Sequence, residues 1–183
     1  STFVNKGVWI EPVFITKIED KNGVIIEEFT PKTQEAMSEE TAAVMVRLLQ
    51  GVVDGVYSPE AKTTKGTGVR LRHKYKFTND IGGKTGTTQN QSDGWFIGIT
   101  PNLVTGVWSG CEDRSIHFRD IYYGQGANMA LPIFAEYLIR AYKDKGVSEI
   151  NPVKFNIPKY IDVKMDCGEQ VQATEDIFLE EEF

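Results

Sequence analysis

The residues of this chain best suited to chemistry lie in one run, Ile81-Gly82-Gly83-Lys84-Thr85-Gly86-Thr87-Thr88. Glycines, hydroxyls and one lysine are packed together there. Two kinds of site use those residue types: a loop that wraps a phosphate, and a strand that holds an extended anionic ligand. Spacing separates them. A phosphate loop needs a glycine five positions before the Gly83-Lys84 pair, so that the backbone can curl round the anion. That position is Thr78. It also needs a helix directly after the lysine, whose N-terminal N–H groups face the phosphate. Instead Gln89-Asn90-Gln91-Ser92-Asp93-Gly94 follows, which is turn composition. Trp95-Phe96-Ile97-Gly98-Ile99, rich in strand formers, comes next. A strand, a turn and a second strand argue against the phosphate loop.

In the strand reading, alternation puts Lys84 and Gly86 on one face and Thr85 and Thr87 on the other. Both pairs serve one ligand only if it lies along the strand's edge. Glycine at position 86 lets another backbone approach closely, and an extended ligand can pair with the edge as an added strand. Lys84 supplies a fixed positive charge. A glycine-rich inner strand with a solvated lysine would have the same local sequence, so the triplet Lys84-Thr85-Gly86 alone does not decide.

The surrounding elements follow from periodicity. Residues 13–18 and 24–29 read as the strands of a hairpin spanning 13–29, its tip at 20–23, because Asn22-Gly23 is a strong hairpin signal. Ser38 has the position of a helix N-cap, with Glu39 and Glu40 in the first turn. Ala42, Met45, Val46, Leu49 and Val53 then recur at helical steps and predict one buried face of a helix ending near 51–55. Residues 56–68 read as a loop containing Ser58-Pro59 and Gly66-Thr67-Gly68. Arg70, Arg72, Lys74 and Lys76 alternate with Leu71, His73, Tyr75 and Phe77, which predicts a strand with one basic face. Such a stripe attracts anions or, more often, is simply solvated. Residues 95–100 and 103–108, joined through Pro101-Asn102, complete a three-stranded antiparallel unit with the Lys84 strand. Gly98, Gly106 and Gly110 would allow helices to pack closely on it. Asp93 reads as turn chemistry, or as an anchor for that turn. Residues 114–126 read as irregular. Residues 129–143 predict a helix with Pro132 in its first turn, Lys143 and Lys145 at its end and Gly146 as the stop.

The 183 residues suffice for one domain with a real core. No apolar run is long enough to span a membrane, and no signal peptide is visible. Residues 1–146 carry 17 basic and 17 acidic groups, whereas 147–183 carry 3 and 9. The whole net charge of −6 therefore belongs to the tail and says little about what the main body binds. Residues 151–183, with Pro152, Pro158, weak periodicity and Glu180-Glu181-Glu182, predict an extended tail, partly disordered at its end. The organisation is then a main body, 1–146, and an acidic tail, 147–183. Cys111 and Cys167 match no metal spacing and stand as free thiols or one disulfide. His73 and His117 have no partner pattern. No metal, cofactor or nucleic-acid partner is expected.

Several stretches occur together in order: Phe3-Val4-Asn5-Lys6-Gly7-Val8-Trp9-Ile10-Glu11-Pro12, Gly66-Thr67-Gly68, Gly83-Lys84-Thr85-Gly86-Thr87-Thr88, Asp93-Gly94-Trp95-Phe96-Ile97-Gly98 and Val107-Trp108-Ser109-Gly110. Over roughly residues 1–143 they resemble the C-terminal half of the transpeptidase domain of class A (bifunctional) penicillin-binding proteins, and the combination is far more specific than any one triplet. The resemblance implies an α+β fold, serine β-lactamase-like, with a five-stranded antiparallel sheet flanked by helices and a helical subdomain. It implies D-Ala-D-Ala transpeptidation, which cross-links peptidoglycan stems, and acylation by β-lactams. Lys84 would take the family's lysine role, bonding towards a second-motif serine and steering the substrate carboxylate. Thr85 and Thr87 would bind that carboxylate, Gly86 would admit the substrate backbone, and the Thr87 N–H would be one oxyanion donor. A parent enzyme would act outside the cytoplasm, carry a glycosyltransferase domain, and be anchored in the inner membrane by an N-terminal segment.

The sequence also departs from the family. A Ser-x-x-Lys motif, whose lysine activates the nucleophile, and a Ser-x-Asn motif are both required. None of Ser1, Ser38, Ser58, Ser92, Ser109, Ser115 and Ser148 has lysine three positions on or asparagine two positions on. In the family both motifs precede the Lys-Thr-Gly strand, so they would fall upstream of Ser1. The chain is thus expected to be a fragment, inactive alone, whose partner is the upstream half of the domain. A natural non-catalytic module that binds peptidoglycan or a partner protein is the alternative.

Overall fold

In the computed structural model, residues 1–58, 63–146, 150, 152–158, 161 and 163 are described, and they form an α+β arrangement. The chain first turns at Lys6 and Gly7, both at positive φ, so that β1 (Val8–Ile10) can pair antiparallel with the later β4 (Thr33–Glu35). Between them β2 (Lys17–Glu19) and β3 (Ile25–Glu28) form the expected hairpin. Its tip is closed by Asp20, whose carboxylate accepts from the N–H groups of Asn22 and Val24, and by Gly23 at φ 83°. The paired strands are shorter than the 13–29 pattern predicts, with a register shift at Ile18 and Glu19.

Helix α1 (Glu39–Asp54) begins as expected: the Ser38 hydroxyl accepts from the Thr41 N–H at 3.2 Å. It ends at Gly55, φ 79°. Its buried residues are Ala42, Ala43, Val46, Gln50 and Val53, while Met45 and Leu49 are only half-buried. The apolar stripe is therefore rotated slightly from the predicted one.

Two expectations fail in the next stretch. Residues 56–68 are not all loop, because β5 (Val56–Ser58) pairs antiparallel with β6 (Thr63–Lys65). Residues 70–77 are not a strand. Arg70–His73 form a short helix, α2, and the chain then turns at Lys76, φ 61°. The two arginines are bonded instead of forming a stripe with the exposed Lys74 and Lys76. Arg72 pairs with Asp54 at 2.7 Å and donates to the carbonyls of Phe77 and Asn79. Arg70 donates to the Ala127 carbonyl at 3.0 Å. Leu71 is fully buried. The long-range bonds and the burial of Leu71 override a local alternation whose period is that of a strand.

The central sheet matches expectation closely. Strands β7 (Gly82–Thr87), β8 (Asp93–Ile99) and β9 (Val104–Gly110) pair antiparallel in that order. Lys84 lies opposite Ile97 and Gly86 opposite Trp95, which in turn faces Trp108. A 3-10 turn, Gln89–Gln91, links β7 to β8, with Asn90 and Gln91 at positive φ.

After a short helix α3 (Ile121–Gly124), where irregular chain was expected, α4 (Gly126–Lys143) packs on β8. It begins three residues before the predicted start, so Pro132 lies in its second turn and not its first. Ala130, Leu131, Phe134, Ala135 and Leu138 of α4 join Phe96, Ile81, Leu71, Phe77 and Val53 in one core. Gly98 makes this possible, because a Cβ there would stand 3.0 Å from Phe134 Cδ2 and closer still to the ring's far edge. Gly106 and Gly110 do not serve helix packing: their nearest neighbours are Ile97, and Asp93 with Trp108.

Part of the predicted tail is held against the body. The Phe155 N–H donates to Asp80 at 2.9 Å, and residues 153–158 line a cavity with Phe3, Val46 and Pro101. Cys167 and the acidic run 180–182 lie outside the described residues. Among the described residues Cys111 has no disulfide partner.

Candidate functional site

β7 is an edge strand among the described residues, with β8 on one side and nothing paired on the other. All four predicted site residues lie on it. Lys84 is exposed, and its ammonium donates to the Thr85 carbonyl at 2.8 Å. On the same face, Gly86 leaves the indole of Trp95 uncovered; Trp95 is 43% exposed and Trp108 44%. A lysine beside a bare glycine and two half-open indoles makes a surface that is cationic at one end and apolar across the sheet.

The threonines occupy the opposite face, each with a partner far away in sequence. The Thr85 hydroxyl donates to the Thr67 hydroxyl at 2.9 Å. Thr67 stands between Gly66 and Gly68, which both lie against the Val52 carbonyl of α1. The Thr87 hydroxyl accepts from the Gly126 N–H at 3.0 Å. The sequence singled out Gly66-Thr67-Gly68 without a role, and it gave no sign of Gly126.

Beyond Thr87 the β7–β8 turn is closed by one carboxylate. Asp93 accepts from the Thr88 hydroxyl at 2.9 Å, from the Ser92 hydroxyl at 3.3 Å and from the Trp108 indole N–H at 3.1 Å. The Asp93 N–H returns a bond to the Thr88 hydroxyl. Asp93 is thus the first residue of a strand and an anchor across three elements, beyond ordinary turn chemistry. Its carboxyl is held below the ordinary 3.8, first by the Thr88 bond, then by Trp108, Ser92 and the charge of Arg114, against a desolvation that raises it. Among the described residues no cluster of three or more His, Cys, Asp or Glu could hold a metal. No helix among them is long and apolar enough to cross a membrane.

The sequence and the fold are both similar to those of known proteins. The chain belongs to the penicillin binding protein transpeptidase domain family, whose model matches residues 1–108. Among curated relatives it is 34% identical over 136 residues to penicillin-binding protein 1A of Aquifex aeolicus, covering 74% of this chain and 16% of that protein. It is 31% identical over 159 residues to penicillin-binding protein 1A of Neisseria flavescens, covering 84% of this chain and 18% of that one. The crystal structure of penicillin-binding protein 1A from Haemophilus influenzae superposes with a TM-score of 0.65 at 26% identity, over 86% of this chain and 26% of the other. The chain therefore spans less than a fifth of the length of these curated relatives.

Proposed function

We propose that β7 is the substrate-holding strand of a D-Ala-D-Ala transpeptidase that cross-links peptidoglycan stem peptides and is acylated by β-lactams. The observation that carries this reading is the open edge of β7 with Lys84, Thr85, Gly86 and Thr87 along it. A stem peptide would lie along that edge as an added strand. Its terminal carboxylate would be held by the Thr87 hydroxyl, by the Thr85 hydroxyl once its proton turns from Thr67 to the ligand, and by the field of Lys84. The Thr87 N–H would donate to the oxyanion formed when a serine attacks the penultimate D-Ala carbonyl. The bond to the terminal D-Ala nitrogen then breaks, D-Ala leaves with a proton, and an amine of a neighbouring stem takes the acyl group.

The serine is not on this chain, since none of its serines has the Ser-x-x-Lys spacing that sets a lysine one helical turn away. In our reading it comes from the upstream half of the domain, in an extracytoplasmic, membrane-anchored parent that also carries a glycosyltransferase domain. The same lack of a nucleophile motif supports a second reading, a non-catalytic module that binds peptidoglycan or a partner protein. A reading frame with Ser-x-x-Lys upstream of Ser1 separates the two. Intact-mass spectrometry after incubation with a reactive penicillin tests the division of labour. The chain alone is expected to show no adduct, and a stoichiometric mass increase on one of its serines would overturn the reading.

A further inference from the structure

We infer that Gly126, the first residue of α4, is a positioning residue for the anion site: its N–H sets the Thr87 hydroxyl so that the hydroxyl proton is free for a ligand carboxylate. The inference rests on the proposed role of Thr87. A helix leaves its first N–H groups without partners inside the helix. The preceding Gln125 makes no side-chain cap. The Gly126 N–H is satisfied instead by Thr87 Oγ1, from a strand 39 positions earlier, at 3.0 Å.

A threonine hydroxyl has one proton and two lone pairs. With a lone pair turned to Gly126, the proton is directed elsewhere. Thr87 is exposed while Gly126 is buried. The hydroxyl therefore connects a buried donor to open solvent at the edge of β7. The positive end of the helix dipole lies behind it, which makes the hydroxyl a better donor to an anion. A carboxylate accepting that proton feels α4 without touching it.

Position 126 tolerates no side chain. A Cβ there would run into the carbonyl oxygens of Gly86 and Trp95, the first on β7 and the second on β8. Neither can give way without breaking the β7–β8 pairing, in which Gly86 lies opposite Trp95. A methyl group would instead push α4 off the sheet and pull the N–H away from Thr87. Glycine here is thus the condition for bringing the helix start within hydrogen-bond distance of the site.

The test is an amide NMR titration of the full chain with diacetyl-L-lysyl-D-alanyl-D-alanine, and with the same peptide amidated at its C-terminus. The acid should shift the Thr87 and Gly126 amides with one saturation curve, and the amidated peptide should shift neither. Thr87→Val should abolish the Gly126 response and speed hydrogen exchange of the Gly126 N–H, and Thr87→Ser should restore both. Gly126→Ala should weaken binding of the acid by about fivefold, the loss of part of one charge-assisted bond. If that variant does not fold, the Thr87 pair carries the test. Shifts at Thr87 without any at Gly126, with Gly126 exchange unchanged in Thr87→Val, would overturn this inference and leave the carboxylate role of Thr87 standing. Equal responses to acid and amide, or none, would overturn the carboxylate role and this inference with it.

Discussion

Gly98→Ala should destabilise the fold although alanine suits ordinary backbone better than glycine. The new Cβ stands 3.0 Å from Phe134 Cδ2 and nearer still to Cε2 and Cζ, whereas carbon atoms rest at about 3.5–4.0 Å. The ring has no room to move. Phe134 is 1% exposed, its centroid is 4.9 Å from that of Phe96, and Leu131 and Leu138 of the same helix are fully buried. Overpacking a locked site costs toward the upper end of about 1–3 kcal/mol. Burying one more methyl returns about 0.8 kcal/mol, and restricting the unfolded chain returns roughly 0.4–1 kcal/mol. The net loss is then about 1–2 kcal/mol. Urea unfolding followed by tryptophan fluorescence measures it as a lower midpoint at unchanged slope. Phe134→Leu shortens the offending ring and alone costs about 1–2 kcal/mol through the space it leaves. In the double variant the methyl fills that space, so the two losses should fall short of their sum by about 1 kcal/mol. Additivity would refute the claim that Gly98 is glycine because of Phe134.

Asp93→Asn should flatten the acid limb of the stability profile. A carboxyl whose folded pKa is depressed, here first by the Thr88 hydroxyl, contributes stability that is present above its unfolded value of 3.8 and lost as pH falls through the folded one. Melting temperatures of both proteins from neutral pH to below about pH 4 should converge on acidification; parallel curves would remove Asp93 from that role. In a longer enzyme carrying this strand, Lys84→Ala should slow β-lactam acylation by the worth of one charge-assisted partner, about 1.5–3 kcal/mol. Thr87→Ala should cost less, because its backbone N–H stays; unchanged acylation in the Lys84 variant would take Lys84 out of the site.

The sheet was legible because strand formers at 95–100 and 103–108 are separated by turn residues at 89–94 and 101–102, so composition and punctuation agree. α1 was legible from Ser38 and its apolar steps. The Arg70–His73 turn was not, since the alternation of charge over residues 70–77 has the period of a strand. What decides it is Arg72 reaching Asp54, Phe77 and Asn79, and a buried Leu71. The start of α4 was hidden for a different reason. Gly126, Ala127 and Asn128 carry no apolar signal, and the N–H of the first is satisfied from another element.

The identity of the proposed site residues and the orientation of their side chains are therefore written at different ranges. Lys84, Thr85, Gly86 and Thr87 are adjacent, and a local pattern finds them. The partners of the two hydroxyls lie 18 and 39 positions away, on a glycine-flanked loop and at a helix start. Each is brought in by a contact that only a missing side chain allows: Gly66 and Gly68 against the Val52 carbonyl, Gly126 against those of Gly86 and Trp95. The glycines outside the Lys-Thr-Gly run are thus tied to that run as closely as its own residues. Helix α1 packs on β7 itself and lies behind the loop whose Thr67 bonds Thr85, whereas α4 bonds Thr87 through its first N–H. In the proposed site six paired positions fix β7 against β8 while single hydrogen bonds set the two hydroxyls, so the hydroxyls are the softer part of that edge.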